Sequence, residues 1–272
     1  MPIRVYSEKA GLVPMRASFK KNWVHYLREA LGLAIFMISA CFFGAVLEAK
    51  DSSLHLLIPS AMLRSVISGV LMALTALFIF YSPLTSPSGS HINPAVTLSF
   101  LRTGKMCPWD ALFFIIFQFA GAVIAVYLMQ IILGHLLTNP PVNSAVTIPG
   151  TPGRVAALAT EFGIAFITMS VVLFTSENSK LKRYTRIFAA CLVCACVIAA
   201  GPISGFGMNP ARSFASALAA KIWTGFWIYL TAPLAGMLSA TEVFLFTRKN
   251  KSANAHKERR KNGIPQPYEF EL

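Results

Sequence analysis

The chain has 272 residues, of which 55% are hydrophobic and only 13% charged, and its mean hydropathy is +0.60. Ordinary soluble domains carry about 25% charged residues, so a soluble globule and a disordered chain are both excluded, which leaves a polytopic membrane protein. The formal charge of +13 would suggest nucleic acid on a soluble protein, but basic residues also collect on cytoplasmic loops of membrane proteins.

Along the chain, the first 25 residues are polar and basic. They lack the apolar region of a cleavable signal peptide, so none is expected. Runs long and apolar enough to cross a bilayer fall at 29–47, 61–82, 110–137, 156–175, 185–203 and 223–246. Two further apolar stretches follow Asn93 and Asn209. At about ten residues each they are too short to span, but long enough for half a crossing. Nineteen of the 24 Lys and Arg residues lie before the first span, between spans two and three, between four and five, or after the sixth. Six crossings put all four segments on one side, so both termini are expected in the cytoplasm. This distribution accounts for the charge without nucleic acid. The basic tail reads as a solvated topogenic segment, with contact to anionic lipid as the alternative. Cys41, Cys107, Cys191, Cys194 and Cys196 show no metal-ligand spacing and read as packing residues. No metal or cofactor is expected.

The chain repeats itself. Residues 91–100 read HINPAVTLSF and residues 207–216 read GMNPARSFAS. Each half opens with a span carrying a glutamate, Glu29 or Glu161, and runs span, span, Asn-Pro-Ala, span. Three spans per half is an odd number, so the second half inserts upside down. The halves cover about 27–137 and 155–247 of one membrane domain (27–247), flanked by an N-terminal segment (1–26) and a basic tail (248–272).

Proline at the first turn of a helix loses no needed hydrogen bond, and asparagine before it is a good cap. Asn93-Pro94-Ala95 and Asn209-Pro210-Ala211 should therefore each start a short helix. Buried in a membrane, two such half-helices would meet end-on, with both positive dipole ends aimed at one spot. Such a spot repels cations, while the asparagine N–H groups can still donate to a neutral oxygen. The loops before them, containing Gly89, Ser90, His91 and Gly205, should be extended and offer carbonyl acceptors. Irregular backbone at this depth is tolerated only where it lines a cavity.

These motifs, SGSHINPAVTL and GFGMNPARSFASAL with Glu29 and Glu161, resemble the major intrinsic protein family, the aquaporins and aquaglyceroporins. The resemblance covers about residues 27–247. It implies an all-α membrane fold: a right-handed bundle of six tilted helices plus two re-entrant half-helices. It also implies a homotetramer with one pore per subunit. By the same resemblance, Arg212 lines an outer constriction and donates to the solute. Glu29 and Glu161 are structural acceptors for the loops, and His91 contributes its backbone carbonyl and packs beside the pore. The remaining constriction positions fall at Val197, Phe206 and, near the second span, Ala73. An insertion at Ser82–Pro87 blurs that last count, leaving Met72 or a residue up to a turn earlier open.

This constriction is more apolar than the pattern of water-selective members. Ser213, Ala217 and Tyr229 look water-like, whereas Leu230 looks glycerol-like. The reading is a passive water channel that leaks small neutral solutes and excludes ions and protons. A glycerol-type facilitator is the alternative. A structural membrane-junction protein is the reading of another class, resting on the external stretch Asn143–Pro152. A gradient-coupled transporter would need a midplane coupling group, for which only Glu29, Glu161 and Arg212 offer themselves. An enzyme is not expected, since no nucleophile–base pair, metal cluster or phosphate loop appears.

Overall fold

A computed structural model describes the backbone of residues 14–261 and the side chains through Asn250. Parts of both predicted tails, residues 1–13 and 262–272, lie outside the described residues. Among the described residues the chain is helical without strands. The α-helices are α1 (Met15–Glu48), α2 (Ser53–Leu57), α3 (Ala61–Tyr81), α4 (Pro94–Arg102), α5 (Pro108–Leu133), α6 (His135–Thr138), α7 (Gly153–Glu177), α8 (Thr185–Ser204), α9 (Pro210–Ala220) and α10 (Phe226–Lys261). Six of these segments are long and apolar enough to cross a membrane. They correspond to the six predicted spans. The two stretches after Asn93 and Asn209 form α4 and α9, of 9 and 11 residues.

The ends of the spans differ from the sequence reading. The first helix begins at Met15, so residues 15–26 of the predicted N-terminal segment 1–26 are helical. The cause is a carboxylate on another helix. Asp110 Oδ1 accepts from Ser18 Oγ at 2.5 Å, Asn22 Nδ2 at 3.0 Å and Tyr26 OH at 2.6 Å. Positions 18, 22 and 26 share one helix face, and this polar stripe satisfies a carboxylate that is itself buried. Hydropathy could not see it. The third span stops at Leu133 rather than 137, because Gly134 adopts φ 54° and turns the chain into α6. The last helix continues past 247 to Lys261, so no helix break marks the predicted start of the tail.

Packing follows the repeat. In each half the first helix lies against the last: α1 on α5, and α7 on α10. Both crossings run through a glycine. A Cβ on Gly121 would sit 2.2 Å from the Ala30 carbonyl oxygen, and one on Gly236 would sit 2.4 Å from the Phe162 carbonyl oxygen. Close backbone approach through small residues is how helices pack where lipid removes the hydrophobic drive. The halves join along α3 and α8, where Gly69 faces the Cys194 carbonyl. The half-helices α4 and α9 each pack against both α5 and α10. Outward residues such as Ile131 and Val155 are each 82% exposed, as a lipid-facing surface requires. Trp23, Trp223 and Trp227 are exposed near helix ends, where interfacial anchors sit.

Candidate functional site

Each half-helix starts as the sequence predicts. Asn93 is extended (φ −154°) and its Oδ1 accepts from the Ala95 N–H at 2.9 Å. Asn209 is extended (φ −140°) and its Oδ1 accepts from Ala211 N–H at 3.0 Å and Arg212 N–H at 3.3 Å. The two caps then reach across the pseudo-symmetry axis. Asn93 Nδ2 donates to the Met208 carbonyl at 2.9 Å, and Asn209 Nδ2 donates to the Ile92 carbonyl at 2.7 Å. The N-termini of α4 and α9 therefore meet nose to nose. A side-chain amide carries two N–H donors. One from each asparagine is engaged by this exchange, a partner that sequence reasoning did not foresee.

Upstream of each cap the loop is held by the buried glutamate of the same half. Glu29 accepts from Ser88 Oγ at 2.6 Å, His91 N–H at 3.0 Å and Ile92 N–H at 2.6 Å. Glu161 accepts from Ser204 Oγ at 2.6 Å, Gly207 N–H at 2.7 Å and Met208 N–H at 2.5 Å. The register is identical: five, two and one residues before each asparagine. Both carboxylates are fully buried, and both oxygens of each are used.

These bonds hold strained backbone. Gly89, Ser90 and Ile92 have φ of 100°, 50° and 43°, and Gly205, Phe206 and Met208 have 78°, 51° and 49°. A non-glycine residue at positive φ costs about 1–3 kcal/mol and persists where its surroundings dictate it. Among the described residues no donor reaches the carbonyl oxygens of Gly89, Ser90, His91, Gly205, Phe206 or Gly207. Backbone acceptors inside a folded protein are otherwise almost always paired.

Arg212 lies on the first turn of α9. It is 9% exposed, its Nη1 has no hydrogen-bond partner, and no described carboxylate lies within ion-pair range. A purely structural arginine would be tied to loop carbonyls, and this one is not. Phe206 is buried in an apolar cluster with Met72, Ala76, Met169, Val193 and Met208, and half-buried Ala73 and Val197 pack against it. Three of the four predicted constriction residues thus share one cluster. The His91 ring stacks on Phe100 with centroids 4.6 Å apart and packs edge-on to Phe114. Its Nδ1 lies 3.3 Å from Thr97 Oγ1. Tyr229 is fully buried and donates to the Ser204 carbonyl at 2.6 Å, whereas Leu230 is 40% exposed. Those two solute-associated positions therefore differ in kind: Tyr229 braces the second loop.

A missed residue completes the first half. Gln118 Nε2, fully buried on α5, donates to Glu29 Oε2 at 2.9 Å and to Thr97 Oγ1 at 3.1 Å. It is one of two glutamines, with Gln130, in the apolar run of α5 and could have been flagged on that ground. No described group of three or more His, Cys, Asp or Glu side chains could hold a metal ion.

A family profile described as Major intrinsic protein matches residues 16–244. The chain belongs to the major intrinsic protein family. Aquaporin NIP2-3 of Zea mays is 36% identical over 172 residues, covering 62% of this chain and 55% of that protein. Aquaporin TIP2-1 of Arabidopsis thaliana is 29% identical over 214 residues, covering 78% and 82% of the two chains. The NIP-type match thus spans about half the length of the relative. An X-ray structure of the aquaglyceroporin from Plasmodium falciparum superposes with a TM-score of 0.67 at 16% identity. It covers 82% of this chain and 95% of that one, and it establishes the fold. As a major intrinsic protein the chain is a multi-pass membrane protein, with the inverted-repeat architecture read from its two Asn-Pro-Ala motifs.

Proposed function

We propose that this major intrinsic protein is a passive water channel that leaks small neutral solutes and excludes ions and protons. The observation that carries the reading is the meeting of two capped half-helix N-termini beside a track of unpartnered loop carbonyls. Each N-terminus presents about half a positive charge. Together they oppose a cation about 4 Å away by about 4 kcal/mol at an effective dielectric of 20. That is about a thousandfold in occupancy, before the cost of stripping its water. A neutral solute meets no such barrier and finds both donors and acceptors. In this reading Asn93, Asn209 and Arg212 donate to the solute. The carbonyls of Gly89, Ser90, His91 and Gly205 accept from it, and Ala73, Val197 and Phe206 set the width. Glu29 and Glu161 act only by holding the loops.

The channel is not an enzyme, works in a cell membrane as a homotetramer, and occupies residues 27–247. Its termini face the cytoplasm: Arg102, Lys105, Lys180, Lys182, Arg183, Arg186, Arg248 and Lys249 gather at the end where α1 begins and α10 leaves, as the positive-inside rule requires. Glycerol facilitation is the second reading, favoured by the apolar character of Phe206 and Val197. A membrane-junction role loses its support, because the loop at Asn143–Pro152 is folded down: Ser144 is buried and the Gly150 N–H donates to the Ile203 carbonyl at 2.9 Å.

Stopped-flow light scattering on proteoliposomes tests this. Fast shrinkage in sucrose with little re-swelling in glycerol is expected. Fast re-swelling would favour the glycerol facilitator, and behaviour like empty liposomes would overturn both.

A further inference from the structure

A groove of about 710 Å³ opens where α7 ends and α10 leaves the bundle, lined in part by Phe174, Asn178, Lys180, Leu181, Phe244 and Arg248. Its floor is apolar: Phe174 and Phe244 meet edge-on with centroids 5.3 Å apart, and Leu181 is 38% exposed. Its rim is basic. Lys105 and Arg248 share one carboxylate, Glu177, at 3.2 and 3.5 Å. Lys180 has no carboxylate within ion-pair range among the described residues. Lys180 and Arg248 line the groove and Lys105 reaches Glu177 from beside it, so three cations surround one carboxylate and leave a surplus of two positive charges.

The chain carries a segment of the complementary kind. Only 11 acidic residues occur in the whole sequence, and two of them fall in Tyr268-Glu269-Phe270-Glu271-Leu272. Apolar and acidic side chains alternate there, so an extended chain would turn Tyr268, Phe270 and Leu272 to one face and both glutamates to the other. The two glutamates supply one carboxylate for each of the two surplus cations. The lengths agree as well. Arg248 to Lys261 is fourteen residues of helix, a rise of about 20 Å. Residues 262–267, Asn-Gly-Ile-Pro-Gln-Pro, bridge about 20 Å when extended. Asn-Gly suits a helix stop and reversal, and the two prolines favour an extended return.

We propose that residues 268–272 dock back into this groove of their own chain, with the aromatics on the Phe174–Phe244 floor and Glu269 and Glu271 on Lys180 and Arg248. The proposal does not depend on which solute the channel carries. A competing occupant of such a groove is an anionic lipid headgroup, and the test separates the two.

The full-length protein, with p-benzoylphenylalanine in place of Phe270, is placed in zwitterionic-lipid nanodiscs and irradiated, and the cross-links are mapped by mass spectrometry. Cross-links within one chain to 174–181 or 244–248 are expected, lost in Glu269→Lys/Glu271→Lys and regained when Lys180→Glu/Arg248→Glu is added. The yield should survive the addition of anionic lipid. Cross-links elsewhere, cross-links joining isotopically distinct copies, or a yield abolished by anionic lipid would each overturn the proposal. Size-exclusion profiles matching wild type confirm that each variant is folded.

Discussion

The two halves of the molecule are built on one plan and differ at a handful of positions. Each half has a buried glutamate, a serine five residues before the asparagine, paired positive-φ residues and a glycine-mediated helix crossing. These shared parts are mechanical: they hold a broken helix inside a membrane with its donors satisfied. The differences are chemical. Val96 in the first half stands where Arg212 stands in the second, Ser90 matches Phe206, and His91 matches Gly207. A Cβ at Gly207 would lie 2.5 Å from the Tyr229 ring, whereas the His91 side chain has room against Phe100. The first loop is braced from α5 by Gln118, and the second from α10 by Tyr229. The shared positions hold the loops, and the halves differ in chemistry at Val96 against Arg212 and Ser90 against Phe206.

The largest effects should come from the crossings. Gly121→Val drives a side chain into the Ala30 backbone, which cannot yield as a flexible side chain would. No monodisperse folded protein is expected on detergent extraction. Gly236→Val should do the same to the second half. Folding of either variant at wild-type yield would mean the crossings are looser than described.

The glutamates come next and separate the halves. Glu29→Ala removes an acceptor from four donors and Glu161→Ala from three; the backbone N–H groups among them are left with no partner, at about 1–3 kcal/mol each when buried. Thermal unfolding in detergent should fall for both, and further for Glu29→Ala. The reverse order would show that Gln118 adds nothing to the first loop.

Arg212→Val makes the second half copy the first. Water flux should persist while glycerol re-swelling rises, because a buried donor and its bulk are removed. Unchanged solute selectivity would place the constriction elsewhere. The smallest effect is expected from Arg102→Gln at the exposed pair with Glu242, where both side chains are 54% exposed. Such pairs contribute about 0–1 kcal/mol, so stability and flux should stay near wild type.

Much of this plan was legible because it rests on local chemistry. Asn-Pro-Ala favours a helix start through its cap and its N1 proline, and two short apolar runs in a six-span chain have few other uses. The glutamates stood out as charges in apolar spans. What stayed hidden depends on partners distant in sequence. Asp110 lies 92 residues from Ser18, so neither alone predicts that α1 starts at Met15. The exchange between Asn93 and the Met208 carbonyl spans 115 residues and needs the inverted fold to exist first. Gln118 was visible as a polar residue in an apolar run, but its role required Glu29 beside it. The second-span constriction residue was blurred by an insertion, which folds as a short turn at Ser86–Ser88 and ends α3 at Tyr81.

The central claim is that the two opposed half-helix ends admit neutral molecules and refuse charge. Proteoliposomes loaded with a pH-sensitive dye and exposed together to an osmotic step and a pH step read both fluxes from one preparation. The account predicts rapid shrinkage with a proton leak no faster than that of empty liposomes. A proton leak that rises in step with water flux would contradict it.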